Sequence, residues 1–278
     1  MSLGNQLAFC TVRIECTLQS GETSVGTGFF YHFCHTDKNV RPAIITNKHV
    51  VEGADTIRLY LTRMTDAKER LDGNNEVIEF QNGSDPRFSI FLHPGGLDLA
   101  YINLSNFLLE SEKLGKKYYF RPVASDAIPD KNFLKELSAI EELVMVGYPR
   151  GIFDSVNNMP VSRSGITATH PGINYEGRPE FIIDMACFPG SSGSPVFLFN
   201  LGGYTDNTGK YHLGVHRIYL LGVLYAGPQF NAYGEVKIVP IPTSSKVISE
   251  TRIPMNLGYV INSRVIAEWE NLIRKQIN

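Results

Sequence analysis

Eight short apolar runs, each bounded by Gly, Pro, Asn or Asp, limit what this chain can fold into. Cys10–Ile14 alternates apolar with polar residues, the period-2 mark of a half-buried strand. Gly28–Tyr31, Ala43–Thr46, Leu99–Ile102, Leu143–Val146, Phe181–Ile183, Pro195–Phe199 and Leu220–Leu224 read as buried strands. The runs fall into two sets, over residues 5–104 and 140–262. Between them, residues 105–139 hold most of the polar and helix-like text, such as Asn132–Leu137. An all-β chain of two β-barrels joined by that connection is the economical architecture. Residues 263–278 differ. There Val265, Ile266, Trp269, Leu272 and Ile273 recur at helical spacing behind Ser263, a good N-cap, which predicts one amphipathic packing helix.

Composition excludes several classes of function. With 278 residues, 43% of them hydrophobic and 19% charged, a sizeable core is available and the chain is not disordered as a whole. Lys and Arg number 26 against 28 Asp and Glu, and no Lys/Arg run exceeds two residues. Nucleic acid and anionic membranes therefore gain no electrostatic support as partners. No stretch approaches the roughly 18 apolar residues of a membrane span. Cys10, Cys16, Cys34 and Cys187 form no C-x-x-C pair, and four reduced thiols are expected. The N-terminus lacks the basic and apolar regions of a leader. A cytoplasmic location is the expectation, a secreted or periplasmic one with its leader removed the alternative.

The segment Pro189-Gly190-Ser191-Ser192-Gly193-Ser194-Pro195 carries the strongest chemical signal. A serine nucleophile needs a tight turn that exposes its hydroxyl and backbone N–H groups beside it for a developing oxyanion. Gly190 and Gly193 let the chain curl on either side of Ser192. A serine also needs a base, and His49 follows the apolar run that ends at Thr46. A histidine base needs an orienting carboxylate, and Asp98 opens the apolar run Leu99–Ile102, where a partner must satisfy it. Taken singly, each is as easily a turn, a structural histidine or a capped strand end.

Together they form a pattern. Thr46-Asn47-Lys48-His49-Val50, Asp98-Leu99-Ala100-Tyr101 and Pro189-Gly190-Ser191-Ser192-Gly193-Ser194-Pro195 resemble the histidine, aspartate and serine motifs of the chymotrypsin-fold serine peptidases. The style is that of the bacterial-type branch, which includes the high-temperature-requirement proteases and the glutamyl endopeptidases. The order His, Asp, Ser differs from the subtilisin and α/β-hydrolase orders. Gly26–Phe30, Gly147-Tyr148-Pro149 and Leu257–Val260 extend the resemblance over nearly the whole chain.

The resemblance implies two antiparallel six-stranded β-barrels with a C-terminal α-helix, and a serine endopeptidase acting on protein or peptide substrates. It implies His49, Asp98 and Ser192 as the catalytic triad, and the N–H groups of Gly190 and Ser192 as the oxyanion hole. It requires neither metal nor organic cofactor. It also places Ala186 at the floor of the first specificity pocket, with Leu224, Tyr225 and Gly227 on its wall, which favours an uncharged side chain there. Asp184, two residues before Ala186, is the acidic residue whose entry would favour basic side chains instead. Two departures stand out. Val50 replaces the cysteine found beside the histidine in animal digestive members. Ser191 replaces the aspartate that pairs with a freshly cut N-terminus, so no such cut is expected to be needed. The chain Pro228–Asn256 is longer than a plain hairpin and would shape or cover the cleft. A peptidase-like binding module without activity, and a protease restricted to itself or one partner, are the alternatives. In His32-Phe33-Cys34-His35, the adjacent Cys34 and His35 would point to opposite faces of a strand and rarely chelate together, which sets a metal reading aside.

Overall fold

Strands form where β-branched and aromatic residues alternate or run together, and glycine turns end them. The computed structural model describes residues 3–36, 39–235 and 248–277. Helix α1 (Leu3–Ala8) leads into β1 (Thr11–Leu18), β2 (Thr23–Thr36) and β3 (Asn39–Thr46). The single-turn helix α2 (Lys48–Val51) follows, then β4 (Ala54–Met64), β5 (Arg70–Gln81), β6 (Ser89–Leu92) and β7 (Ala100–Asn103). The connection contributes α3 (Ser105–Lys113), the two-residue β8 (Tyr118–Tyr119) and α4 (Lys131–Glu136). Asp130 caps α4 by accepting from the backbone N–H groups of Asn132 and Phe133.

The first half is an eight-stranded antiparallel sheet in the order β5-β4-β1-β2-β3-β7-β6, with β8 added beside β4. This corrects the expected six-stranded barrel, because no ladder of hydrogen bonds joins β5 to β6. Side chains fill that gap instead. Phe80, Phe88, Phe107 and Tyr118 stack in succession, with ring centroids 4.0, 5.1 and 5.3 Å apart. The sheet thus curls around a core that includes Ile14, Ile44, Ile57, Leu59 and Ile102 without closing its backbone.

The second half follows the expectation. Strands β9 (Glu142–Gly147), β10 (Val161–Thr167), β11 (Glu180–Asp184) and β12 (Pro195–Asn200) come first. The hairpin β13 (Gly203–Thr205) and β14 (Tyr211–Leu213) precedes β15 (Arg217–Ala226). A ribbon of β16 (Gln229–Glu235) and β17 (Ile248–Pro254) then leads to β18 (Leu257–Asn262). Six of these close into an antiparallel barrel, β10-β11-β18-β15-β12-β9. Within the stretch Pro228–Asn256, β16 and β17 pair with each other and not with the barrel, while residues 236–247 lie outside the described residues.

Helix α5 (Arg264–Ile277) packs Val265, Ile266, Trp269 and Ile273 into a cluster with Phe29, Tyr31 and Ile45 of the first half and Val146, Phe197 and Val223 of the second. Two details depart from the sequence reading. Leu272 faces solvent, while Glu270 is buried. Ser263 Oγ finds no partner among the described residues, and Asn262 Oδ1 accepts the N–H of Arg264. Glu270 accepts hydrogen bonds from Tyr31 Oη at 2.7 Å, the Cys34 N–H at 2.8 Å and Arg274 at 2.9 Å.

Candidate active site

The segments that carry His49, Asp98 and Ser192 are tied to one another through backbone and side-chain hydrogen bonds where the two halves touch. Strand β3 ends at Thr46, Asn47 turns the chain, and α2 presents His49. Asp98 sits just before β7, the neighbour of β3 in the sheet. The Asp98 carboxylate holds the histidine at two points: Oδ2 lies 2.5 Å from His49 Nδ1, and Oδ1 accepts the His49 backbone N–H at 2.9 Å. Asn47 Nδ2 donates to the Asp98 carbonyl at 2.8 Å and fixes the aspartate's own backbone. An ionised carboxylate accepts and does not donate, so Nδ1 carries the proton and Nε2 is left with a free lone pair. Burial alone would raise the Asp98 carboxyl. The hydrogen bonds from the His49 ring and backbone, with the Lys48 backbone N–H, outweigh burial and hold it below the ordinary carboxylate value.

The turn before Ser192 is built by Pro189 and Gly190. Ser191 N–H donates to Phe188 O at 3.0 Å, and Gly190 has φ +87°, which makes residues 188–191 a type II turn. A Cβ at Gly190 would press on Tyr148 O at 2.6 Å, so glycine is required there by both space and conformation. Gly193, at φ +86°, lies against Thr27 O and Thr46 Oγ1. The backbone N–H groups of this segment divide in alternation. Ser191 and Gly193 donate to Phe188 O and Leu224 O. Gly190 and Ser192 donate to nothing among the described residues. Pro189 O accepts from Arg150 N, and in a trans peptide this directs the Gly190 N–H to the opposite side.

One threonine joins the two halves at this point. The Thr27 N–H donates to Ser192 O at 2.8 Å and its Oγ1 to Gly190 O at 2.9 Å. Tyr148 N–H donates to Thr27 Oγ1 at 3.0 Å, and Thr46 Oγ1 to Thr27 O at 2.7 Å. Thr27 is wholly buried. The serine turn is thereby pinned to β2 and to the strand end that carries His49. In sequence, the one hint of this role is a threonine held between Gly26 and Gly28. Ser192 Oγ forms no hydrogen bond with His49 among the described residues, and His49 is half exposed.

Beside Ser192 opens a pocket of about 250 Å³ lined by Cys187, Phe188, Pro189, Ser192, Leu224, Ala226, Gly227, Pro228 and Gln229. Leu224 and Gly227 are among its lining residues. Ala186 does not line it; its carbonyl accepts from Arg163 behind the pocket. Tyr225 does not line it either, because the bulge of β15 beside β18 turns its hydroxyl to Glu180 at 2.6 Å. Asp184 is exposed at the end of β11 and absent from the lining. Pro228 and Gln229, at the foot of the ribbon, complete the wall, a role their sequence did not single out.

Cys10, Cys16, Cys34 and Cys187 are all buried free thiols. Among the described residues no cluster of His, Cys, Asp or Glu is arranged to hold a metal, and no helix is long and apolar enough to cross a membrane.

Among solved structures, the HtrA-type protease AlgW with tripeptide aligns with a TM-score of 0.47 at 15% identity, over 95% of this chain and 60% of that one. The Rv3671c protease from M. tuberculosis, active form, aligns with a TM-score of 0.49 at 14% identity, over 95% of this chain and 81% of that one. The serine endoprotease from Yersinia pestis aligns with a TM-score of 0.48 at 15% identity, over 99% of this chain and 68% of that one. This chain thus spans less than two thirds of the length of the first of these. No curated protein sequence matches it. The trypsin-like peptidase domain matches residues 26–202, a span that holds His49, Asp98 and Ser192. That match takes in more than half of the chain. With the closed six-stranded barrel, the sheet beside it and the terminal helix, the fold is chymotrypsin-like, and the chain belongs to the trypsin-like peptidase domain family.

Proposed function

We propose that this chain is a serine endopeptidase that cleaves protein or peptide substrates through an acyl-enzyme. The observation that carries the reading is the two-point grip of Asp98 on His49, beside a turn whose Gly190 and Ser192 N–H groups are unspent. Ser192 Oγ attacks the scissile carbonyl carbon while its proton passes to His49 Nε2. The carbonyl oxygen becomes an oxyanion that takes the N–H groups of Gly190 and Ser192. His49 then gives the proton to the leaving amine, and an ester to Ser192 remains. Water, deprotonated by the same imidazole, attacks that ester and frees the acid and the serine. Asp98 keeps the imidazole in the tautomer that leaves Nε2 open and stabilises its charged form. These steps call on no metal or organic cofactor. Four buried thiols support a reducing, cytoplasmic setting as part of the proposal.

The missing Ser192–His49 hydrogen bond favours one second reading, a binding module without activity. Such bonds are commonly long before substrate binds and tighten in the complex. Labelling with a fluorophosphonate separates the two readings. The intact chain is expected to label at one serine, and Ser192→Ala is expected to abolish it. A folded chain that does not label establishes the binding module.

A further inference from the structure

We infer that Arg163 is a positioning residue, which braces the catalytic turn through Ser191, the residue that stands where the resemblance would put an aspartate; this rests on the serine-peptidase reading above. Arg163 stands on β10 in a fixed register. It pairs with Met145 of β9, which pairs in turn with Val196 of β12, four residues beyond Ser192. Its guanidinium forks to two points of one loop. Nη2 donates to Ser191 Oγ at 2.9 Å, and Nη1 donates to Ala186 O. Between those points lie Phe188, Pro189 and Gly190, the turn that aims the Gly190 N–H. Gly165, two residues along β10, permits this approach, since a Cβ there would collide with Asp184 O and press on Met185.

Among the described residues no carboxylate pairs with Arg163, and its Nε is buried without an acceptor. Burial pulls the guanidinium below its ordinary value, against a smaller opposing effect of Cys187. Held this way, a cation is poor value for stability, and apolar residues of similar volume are often as good or better. Its geometry suits another role. A planar fork fixes two acceptors at a set separation, which a flexible ammonium or an apolar chain does not. Ser191, at the position where an aspartate would answer a new amino terminus, offers a hydroxyl that accepts from this fork.

The test uses the full chain and a peptide it cleaves. Arg163→Met is expected to lower kcat about 10- to 100-fold, the scale on which a misplaced catalytic group costs rate. It is expected to weaken a peptide boronate, which mimics the tetrahedral intermediate, by the same factor. KM should stay close to wild type, as should the affinity of the uncleaved peptide measured on a Ser192→Ala background. The melting temperature should not fall. Arg163→Lys, which keeps the charge without the fork, should lie between, and carries the test if Arg163→Met does not fold. Unchanged kcat in both variants overturns the inference. So does a parallel fall of melting temperature, kcat and peptide affinity, which marks a general structural role. A wild-type chain inert to fluorophosphonate overturns the peptidase reading and this inference with it, whereas a labelled wild type with unaffected variants overturns this inference alone.

Discussion

At the residue scale, the site depends on groups with unequal consequences. Ser192→Ala or His49→Ala should lower peptide hydrolysis about 10⁴- to 10⁶-fold, since each removes a member of a unit that works together. Asp98→Asn is expected to cost about 10⁴-fold in kcat by presenting an amide where Nδ1–H needs an acceptor. Steady-state kinetics on one peptide measures all three, and near-native turnover in any of them refutes its assigned role. The thiols make the opposite case. Burial pushes Cys10 and Cys16 up to about 12 and Cys187 to about 11, so these thiols are neither nucleophiles nor easily oxidised. A disulfide reagent should react slowly with the native chain and titrate four thiols once it is denatured without reductant. Fewer than four, with bridges seen by mass spectrometry, would show that the cysteines are paired. His49, Asp98 and Ser192 stand out in the sequence only together, as three motifs in one order, since each alone reads as easily as a turn, a structural histidine or a capped strand end. Thr27 does not stand out, since its four hydrogen bonds exist only where two distant segments meet.

At the scale of elements, α5 is held by one buried acid as well as by its apolar face. Helical spacing foretold Val265, Ile266, Trp269 and Ile273, but it put the exposed Leu272 on the same face and gives no sign that Glu270 is buried. Glu270→Ala should destabilise the chain by about 2–5 kcal/mol, because it orphans Tyr31 Oη and the Cys34 N–H in the interior. Chemical denaturation measures this, and a loss under about 0.5 kcal/mol, the range of an ordinary surface substitution, would show that the clamp is idle. The pocket belongs to this scale too, for it is assembled from the segment before Ser192, the end of β15 and the foot of the ribbon. Among the described residues its lining carries no charged side chain, and the Arg163 guanidinium donates to Ala186 O, next to the lining residue Cys187. Uncharged side chains are therefore expected before the cleaved bond. Lys and Arg face an unpaired desolvated charge near a fixed cation, and an acid would have to draw the guanidinium from Ser191 and Ala186. A peptide library reads this directly, and dominant cleavage after Lys or Arg would overturn it. The bulge that turns Tyr225 toward Glu180 leaves no mark in residue spacing, so an offset counted from Ser192 does not foresee it.

At the scale of the whole molecule, the two halves differ in how they close, and the site depends on their contact. The barrel of the second half was readable because its strands are short, apolar and separated by clear turns. The first half was expected to match it, yet β5 and β6 leave their edges unpaired and aromatic stacking covers the gap, an arrangement set by tertiary packing rather than by local pattern. That contact bears on activation. Ser191 stands where the resemblance would put an aspartate that pairs with a freshly cut N-terminus. Here Ser191 Oγ already accepts from Arg163, Pro189 O from Arg150 N, and Gly190 O from Thr27 Oγ1. Three donors, from β10, the loop after β9 and β2, hold the turn without help from a chain end. The intact chain is therefore expected to react with a fluorophosphonate at a rate that trimming at the N-terminus does not raise. Labelling of material whose mass is verified as uncut, before and after limited proteolysis, tests this. Reaction confined to the clipped form would show that the turn is not yet ordered in the intact chain, and that its three donors are insufficient by themselves.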